Sequence, residues 1–299
     1  MSVGRPPVSG LTRVVGVIGD PVAHSLSPTL HNAAFEALGL DWVYVAFPVP
    51  RGRGAGAVAA VPALGLAGLN VTMPHKEDVA GACDELTPDA AALRSVNTVL
   101  SLPDGQTLGD STDGPGFLDA LAEDGIAVAG RPVLVLGAGG AARAVVLALG
   151  RAGAEVTVAA RRPDAAESAA ALAPAARAVP LGALAPPTGS RPAARPWAGG
   201  VVDPAVFSVV VNATPLGMSG GDPLPVDPQA LHADQAVVDL VYHPADTPLL
   251  TAARARGAVA VNGLGMLLHQ AARSFTLWTG QSAPLDAMRA AVTAALAAR

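Results

Sequence analysis

The chain has 299 residues, a length that predicts about two domains and is ample for a buried core. Its 19 basic and 24 acidic residues give a net charge of −5, and it has no dense basic run, which excludes a typical binder of nucleic acid or anionic membranes. Hydrophobic residues make up 51% of the chain, which excludes general disorder. No run of 18 strongly apolar residues predicts a membrane span.

The N-terminus and the cysteine count predict a cytoplasmic protein. Residues 1–11 lack a basic patch followed by an apolar core, so we expect no secretory signal. The single cysteine, Cys83, excludes an internal disulfide and disfavours a cysteine-based metal site. His24 and His31 have no partner at metal-ligand spacing, so we predict no bound metal.

The first part of the chain alternates short β-branched runs with helical stretches, which is typical of an α/β fold with a mostly parallel sheet. We predict strands at 14–18, 42–47 and 68–73, a hairpin of 96–102 with 106–109, and helices at 30–38 and from Thr87. We expect Ser27 to cap the first helix and Pro28 to be its first helical residue.

The later part of the chain predicts a doubly wound sheet. Its apolar strands lie at 132–136, 155–160, 207–211, 237–241 and 259–261. The Ala/Pro-rich segment 172–200 predicts a weak helix, an edge strand at 176–180 and a surface loop. The chain after Gly263 predicts helices, the last of which starts at Pro284.

A glycine-rich loop follows the strand at 132–136 and opens an apolar helix at 142–149. Gly137 permits the tight turn, Gly139 lets backbone N–H groups approach a pyrophosphate, and small Ala142 packs the helix on the strand. Because strand, loop and helix occur in this order, the loop predicts dinucleotide binding rather than a chance glycine-rich turn.

The end of the next strand predicts the choice of cofactor. NAD enzymes normally have an acid there that holds the ribose 2′-OH, whereas this chain has Ala160-Arg161-Arg162. Two guanidinium groups suit a 2′-phosphate, so we predict NADP. The alternative interpretation is a solvated basic turn.

Lys76 lies just past a buried strand that Pro74 ends. A lysine near apolar surface can serve as a proton donor or acceptor. The alternative is an exposed lysine at a helix start, paired with Glu77 or Asp78.

Asp113, Ser25 and Ser27 also have two interpretations each. Asp113 precedes a helical stretch and could be only its N-cap. The two serines lie at a predicted helix N-terminus, where they either cap the helix or form a receptor for a carboxylate.

Seven segments, taken together and in chain order, resemble the shikimate dehydrogenase family. They are DPVAHSLSP at 20–28, NVTMPHK at 70–76, VNT at 96–98, DG at 113–114, GAGGAAR at 137–143, NAT at 212–214, and NGLGM at 262–266 through Gln270. The resemblance implies an α/β fold of two domains with the active site in the cleft between them. Residues 1–113 with 263–299 would form the substrate-binding catalytic domain, and residues 114–262 the Rossmann-like NADP-binding domain.

The resemblance implies the reversible, NADPH-linked reduction of 3-dehydroshikimate to shikimate, a step of chorismate and aromatic amino acid biosynthesis. It implies that Lys76 is the acid/base and that Asp113 helps to hold the reacting hydroxyl. The implied substrate-binding residues are Ser25, Ser27 and Tyr242 at the carboxylate, and Thr72, Asn97 and Gln270 at the ring hydroxyls. The cofactor-binding residues are Gly137, Ala138, Gly139, Gly140, Ala141 and Ala142 at the pyrophosphate, Arg161 and Arg162 at the 2′-phosphate, and Thr214, Gly263 and Met266 near the nicotinamide and ribose.

The turn at Ala160 departs from the family pattern. Members that use NADP usually carry Asn-Arg-Thr there, so this chain has lost the asparagine and gained an arginine. An NAD-dependent quinate/shikimate or aminoshikimate dehydrogenase therefore stays open as an alternative, although serine at both 25 and 27 favours shikimate. A non-catalytic NADP-binding regulatory protein is a further alternative, which the presence of Lys76 and Asp113 disfavours. We expect a monomer or homodimer with a small-molecule substrate and no nucleic-acid or membrane partner.

Overall fold

A computed structural model describes residues 6–183, 202–219 and 221–298. The chain divides into two compact units: unit 1 extends to Gly116 and resumes at Leu267, and unit 2 runs from Phe117 to Met266. These boundaries lie three and four residues after those of the predicted domains. Within the described residues, no helix combines the length and the apolar character that crossing a membrane requires.

Strands and helices alternate along most of the chain. The strands are β1 (Arg13–Gly19), β2 (Trp42–Pro48), β3 (Gly68–Val71), β4 (Glu85–Leu86), β5 (Thr98–Ser101), β6 (Thr107–Asp110), β7 (Pro132–Leu136), β8 (Glu155–Ala160), β9 (Arg177–Pro180), β10 (Val209–Asn212), β11 (Ala236–Asp239) and β12 (Val259–Val261). The helices are α1 (Ser27–Ala37), α2 (Gly54–Ala63), α3 (Lys76–Ala80), α4 (Pro88–Leu93), α5 (Asp113–Glu123), α6 (Gly140–Arg151), α7 (Pro163–Ala170), α8 (Pro248–Ala255), α9 (Leu264–Thr279) and α10 (Leu285–Ala297).

Unit 1 contains a mixed sheet with the strand order β2-β1-β3-β5-β6-β4. β1 is parallel to β2 and β3, whereas β5 is antiparallel to β3 and β6 and forms the predicted hairpin with β6. Because β1 and β3 are parallel neighbours, the loops that follow them leave the sheet at the same edge. Those loops carry Ser25 and Thr72, so the fold of unit 1 collects the polar motifs of the sequence at one edge.

Two local predictions in unit 1 need correction. Ser27 is not the N-cap of α1, because Leu26 already has near-helical dihedral angles (φ −88°, ψ −6°) and takes the cap position without a side-chain cap. Helix α2 was not predicted, because its Gly/Ala-rich sequence has no apolar periodicity and carries Gly56 and Pro62, both poor helix formers. The strand predicted to reach residue 73 ends at Val71, just before the turn at Pro74.

Unit 2 contains an entirely parallel sheet with the order β12-β11-β10-β7-β8-β9. If the six strands are renumbered from 1 (β7) to 6 (β12), their order in the sheet is 6-5-4-1-2-3. This is the order of a doubly wound, Rossmann-like sheet, so the predicted topology is confirmed. Its central strands are buried along nearly their whole length, which explains why they appear in the sequence as continuous apolar runs. β9 lies at the sheet edge as expected, whereas the loop predicted over the rest of 172–200 falls mainly outside the described residues.

Candidate functional site

Lys76 and Asp113 form an ion pair in unit 1. Lys76 starts α3 after the turn that follows β3, and Asp113 starts α5 just after β6. The Lys76 Nζ donates a hydrogen bond of 2.6 Å to Asp113 Oδ2, and the two side chains keep 24% and 13% of their surface exposed. The partner of Lys76 is therefore Asp113, 37 residues away, and the predicted alternative of a pair with Glu77 or Asp78 is wrong.

Asn97 fixes the second oxygen of the Asp113 carboxylate. Its Nδ2 donates to Asp113 Oδ1 (2.8 Å) and to Thr112 Oγ1 (3.0 Å), and its Oδ1 accepts the Thr112 N–H (2.8 Å). Asn97 is only 4% exposed, so water does not compete for these bonds. One carboxylate oxygen therefore accepts a hydrogen bond from a buried amide and the other from an ammonium group, and together these bonds fix the orientation of the carboxylate.

A buried polar network lies next to this pair. Asn70 Nδ2 donates to Thr98 Oγ1 (3.1 Å) and to Ser274 Oγ (3.0 Å). Thr98 Oγ1 in turn donates to Asn97 Oδ1 (3.0 Å). Ser274 also donates to the carbonyl of Gln270 (3.1 Å), one turn earlier in α9. The network therefore ties α9, which carries Gln270, to the strands that position Asn97.

Sequence reasoning did not identify Asn70 and Ser274 as site residues. Asn70 is a polar residue inside a strand whose other members are apolar or glycine, and this was the available signal. Ser274 is a small hydroxyl residue in a helix and has no distinctive pattern. Its role depends on a contact with Asn70 across 204 residues of sequence, which only the tertiary structure provides.

The predicted carboxylate receptor lies at the start of α1. The Ser25 hydroxyl accepts the Ser27 N–H (3.2 Å), and both serines are half-buried. The Tyr44 hydroxyl donates to Asn70 Oδ1 (2.8 Å), which connects this region to the buried network. Burial raises the pKa of Tyr44 above its ordinary value, and a hydrogen bond with the Ser27 side chain opposes that rise. Ser27, Tyr44 and Asn70 are therefore neighbours.

Thr72 and Gln270 complete the predicted substrate residues of unit 1. Thr72 directly follows β3, its N–H bonds the Ile18 carbonyl (3.0 Å), and its side chain is half-buried. Gln270 lies in α9, which approaches the start of α5 so closely that a Cβ at Gly116 would lie 2.5 Å from the Gln270 nitrogen. Tyr242 is half-buried in the loop after β11 of unit 2, whereas the other five predicted substrate residues belong to unit 1.

The glycine loop of unit 2 presents backbone rather than side chains. Gly137 has φ +109°, and a Cβ there would lie 2.8 Å from the Ala213 carbonyl oxygen, so only glycine fits. Gly139 is the N-cap of α6, so this cap position has no side chain that accepts hydrogen bonds from the first N–H groups of the helix. A Cβ at Gly139 or Gly140 would meet nothing within 4 Å. The first N–H groups of α6 therefore lie in open space, as binding of a pyrophosphate requires.

The other predicted loop residues frame this opening. Ala142 is completely buried and packs in the core between α6 and the sheet, while Ala138 and Ala141 are half-buried. Arg161 and Arg162 are exposed directly after β8, and Arg162 is the N-cap of α7. The next acidic residue is Asp164, in the first turn of α7. The turn that directly follows β8 therefore carries two exposed guanidinium groups and no acidic residue.

The remaining cofactor residues lie beyond the carboxyl ends of two strands, Thr214 after β10 and Gly263 with Met266 after β12. The Thr214 hydroxyl donates to Asn212 Oδ1 (2.6 Å). A Cβ at Gly263 would lie 2.1 Å from the Leu240 carbonyl oxygen, so this position also requires glycine. Met266 is half-buried and packs against the core of unit 2. Parallel sheets of this topology bind ligands at this edge, near the switch point between β7 and β10.

Among residues 6–183, 202–219 and 221–298, no three His, Cys, Asp or Glu side chains lie close enough together to hold a metal ion. His31 is completely buried, and its ring nitrogens make no well-formed hydrogen bond, although the nearby Asn70 side chain partly opposes the lowering of its pKa. Its ring stacks on Tyr44, with the centroids 4.4 Å apart. Burial lowers the pKa of His31 to about 3, so it is a neutral core residue.

Comparison with known proteins identifies the family. Residues 17–99 match the shikimate dehydrogenase substrate binding domain, and residues 263–293 match the shikimate 5′-dehydrogenase C-terminal domain. A relative from Symbiobacterium thermophilum named shikimate dehydrogenase (NADP(+)) is 45% identical and covers 99% of both chains.

Solved structures agree with this assignment. The shikimate 5-dehydrogenase of Thermus thermophilus in complex with NADP(H) and shikimate has a TM-score of 0.83 at 38% identity, covering 95% of this chain and 100% of its own. The quinate dehydrogenase of Corynebacterium glutamicum in complex with NAD has a TM-score of 0.83 at 31% identity, covering 95% and 99%. From its sequence relatives and its fold, this chain belongs to the shikimate dehydrogenase family.

Proposed function

We propose that this chain is an NADP-dependent shikimate dehydrogenase, which reversibly reduces 3-dehydroshikimate to shikimate. The observation that carries the proposal is the ion pair of Lys76 with Asp113 (2.6 Å), whose carboxylate Asn97 orients. Lys76 is also the single lysine of the chain, because all the other basic residues are arginines. Arginine does not release its proton in proteins, so the chain places its one side-chain amine at this site.

In the proposed reaction Lys76 moves a proton. NADPH, when bound, supplies the hydride that reduces the carbonyl carbon of 3-dehydroshikimate. The Lys76 ammonium donates a proton to the carbonyl oxygen as it becomes a hydroxyl, and in the reverse direction the amine accepts that proton. Asp113 accepts hydrogen bonds from Nζ and from the reacting hydroxyl, which holds the two groups together.

The other polar residues of unit 1 orient the substrate in this proposal. Ser25 and Ser27 at the start of α1 hold the carboxylate, helped by Tyr242. Thr72 and Gln270 hold the ring hydroxyls. We assign Asn97 to this group as well, although both of its Nδ2 hydrogens already have protein acceptors, so its main action is to position Asp113.

Unit 2 holds the cofactor in this proposal. The backbone from Gly137 to Ala142 binds the pyrophosphate, and Arg161 with Arg162 bind the 2′-phosphate through charge-assisted hydrogen bonds. Thr214, Gly263 and Met266 lie beside the nicotinamide and its ribose. We infer accordingly that unit 1 is the substrate-binding domain and unit 2 the NADP-binding domain, and that the protein acts in the cytoplasm as a monomer or homodimer.

A four-way assay tests the proposal. Nicotinamide reduction is followed by absorbance with shikimate or quinate, each combined with NADP or NAD. We expect the highest kcat/KM for shikimate with NADP. The second candidate is an NAD-linked quinate dehydrogenase, which the absence of asparagine at Ala160 and the similarity to the quinate enzyme favour. A higher kcat/KM for quinate with NAD would replace our proposal with that candidate.

Chemical modification tests the role of Lys76 separately. Because the chain has one lysine, trinitrophenylation modifies one side-chain amine besides the N-terminal amine, and a Cys83→Ala background removes the single thiol that could also react. We expect activity to fall in proportion to modification of Lys76, and shikimate to protect it. A fully modified enzyme that keeps its activity would exclude Lys76 as the proton donor.

A further inference from the structure

Asp239 is a buried carboxylate that the proposed mechanism does not use. It lies at the end of β11 and is 0% exposed. Its Oδ1 accepts hydrogen bonds from Asn212 Nδ2 (2.9 Å) and the Val241 N–H (3.1 Å), and its Oδ2 accepts one from Thr247 Oγ1 (2.7 Å). Burial raises its pKa, and these bonds oppose the rise. No basic side chain among the described residues forms an ion pair with it.

The hydrogen bonds of Asp239 determine which way the Asn212 amide points. All three partners of Asp239 donate to it, so its two oxygens act as acceptors, the NH₂ group of Asn212 faces Asp239, and the Asn212 oxygen faces away. That oxygen accepts both the Thr214 N–H (3.1 Å) and the Thr214 hydroxyl (2.6 Å). Nδ2 also donates to the Leu216 carbonyl (3.1 Å), so one amide holds the turn 214–216 at both ends.

This turn lies between the buried carboxylate and the glycine loop. A Cβ on Gly217, which has φ +100°, would lie 3.9 Å from Asp239 Oδ2. On the other side, the Ala213 carbonyl oxygen lies 2.8 Å from the position of a Cβ on Gly137. A change in the orientation of Asn212 would therefore shift backbone that touches the pyrophosphate loop.

We propose that Asp239 is a positioning residue for the cofactor, which fixes the Asn212 amide and thereby presents Thr214 to the nicotinamide end of NADP. The inference rests on the proposed function, because that function puts Thr214 beside the nicotinamide. Asp239 itself touches neither substrate nor cofactor. Its effect is therefore on cofactor binding, while the binding of shikimate to unit 1 stays unchanged.

The Asp239→Asn variant tests this inference. Its side-chain amide can donate as well as accept, so Asn212 is free to turn its oxygen away from Thr214. We expect the KM for NADP and the Kd for NADPH, measured by nicotinamide fluorescence, to rise about fivefold to tenfold, which corresponds to one or two lost hydrogen bonds. The KM for shikimate should stay at the wild-type value. The matched control is Asp227→Asn, which changes another buried carboxylate of unit 2 that accepts the Gln229 N–H (2.9 Å).

A double-mutant cycle separates positioning from general destabilisation. Thr214→Val removes the hydroxyl that Asn212 holds, whereas Thr214→Ser keeps it. If Asp239 acts through Thr214, adding Asp239→Asn to the Thr214→Val variant should change the Kd for NADPH little. Adding Asp239→Asn to the Thr214→Ser variant should change that Kd as much as it does in the wild type. Additive effects in both backgrounds would overturn the proposal, as would a wild-type Kd for NADPH in Asp239→Asn.

Two other results of these binding measurements are also informative. If the wild-type protein binds no NADPH, the proposed function itself fails, independently of Asp239. If Asp239→Asn does not fold, Thr247→Val replaces it, because this variant removes the hydroxyl that bonds Asp239 Oδ2 and Thr247→Ser keeps that hydroxyl. We then expect a Kd for NADPH about twofold higher in the valine variant only. Equal values in the two variants would overturn the proposal.

Discussion

The two units build their proposed ligand sites from different parts of the chain. The site of unit 1 consists of side chains, since Lys76, Asp113 and Asn97 are joined by hydrogen bonds of 2.6 and 2.8 Å. The proposed pyrophosphate site of unit 2 consists of backbone, since Gly137 shapes a loop and the first turn of α6 presents its N–H groups without a side-chain cap. A site made of side chains depends on which functional groups its residues carry. A site made of backbone depends on the space that is free around its Cα atoms.

The difference predicts how each unit responds to substitution. In unit 1, removing one functional group should abolish a chemical step and leave the fold intact. In unit 2, adding one methyl group should change the geometry and leave every functional group in place. Four variants, in order of decreasing expected effect, examine this contrast.

Lys76→Ala should have the largest effect. Loss of a general acid/base lowers kcat by about 100-fold to 10,000-fold. Lys76→Arg is the matched variant, because it keeps the positive charge beside Asp113 but cannot transfer the proton, and we expect its kcat to fall comparably. Steady-state kinetics with shikimate and NADP measure both. A kcat near the wild-type value in the arginine variant would show that charge, rather than proton transfer, is what the site needs.

Gly137→Ala should have the next largest effect, in unit 2. The added Cβ would lie 2.8 Å from the Ala213 carbonyl oxygen at φ +109°, so the loop must move. We expect a loss of about 1–3 kcal/mol in the free energy of unfolding and at least tenfold weaker NADPH binding. Gly139→Ala is the control, because its Cβ meets nothing within 4 Å. It should unfold like the wild type and still bind NADPH less tightly, since the methyl group obstructs the approach to the pyrophosphate.

Chemical denaturation and NADPH fluorescence separate the two glycine variants. Equal stability of Gly137→Ala and the wild type would mean that the loop relaxes at no cost. The contrast between a backbone site and a side-chain site would then be weaker than the structure indicates.

Arg161→Ala should have a smaller and more selective effect. Each charge-assisted hydrogen bond to a 2′-phosphate contributes about 1.5–3 kcal/mol, so we expect the KM for NADP to rise about tenfold or more. The KM for NAD should stay nearly unchanged, because NAD lacks that phosphate. Raised salt should reduce the preference for NADP in the wild type, since Arg161 is exposed. An equal rise in the KM for both cofactors would mean that Arg161 contacts the adenine or stabilises the fold.

The contrast between the units also explains which features were predictable from the sequence. The cofactor loop is local: strand, glycines and helix follow one another from Pro132 to Arg151, and each element has its own signal. The central parallel strands of unit 2 are buried on both faces, so they appear as apolar runs. The all-parallel order of the sheet then follows from the alternation of strands and helices.

The site of unit 1 was predictable only in part. Lys76 and Asp113 each had an ordinary structural explanation, and only the family resemblance indicated that they belong together. Ser274 had no signal at all and Asn70 only that of a polar residue in an apolar strand, because their roles come from a contact across 204 residues of sequence. Helix α2 was not predicted, since a Gly/Ala-rich segment gains its helical structure from tertiary packing rather than from periodicity.

The smallest expected effect concerns His31, a titratable group buried in unit 1 beside the polar network. Its folded-state pKa of about 3 lies below the ordinary value of 6.5, so the unfolded chain binds the proton more readily. The stability of the native state therefore falls as the pH drops below 6.5, by about 1 kcal/mol between pH 6.5 and 5.5 for one such group. His31→Phe should remove this slope, and because neither ring nitrogen makes a well-formed hydrogen bond, it should cost little stability at pH 7. Urea denaturation of both proteins at pH 7, 6.5 and 5.5 measures the difference. Parallel pH profiles for the wild type and His31→Phe would mean that His31 is protonated in the folded protein and has a partner there.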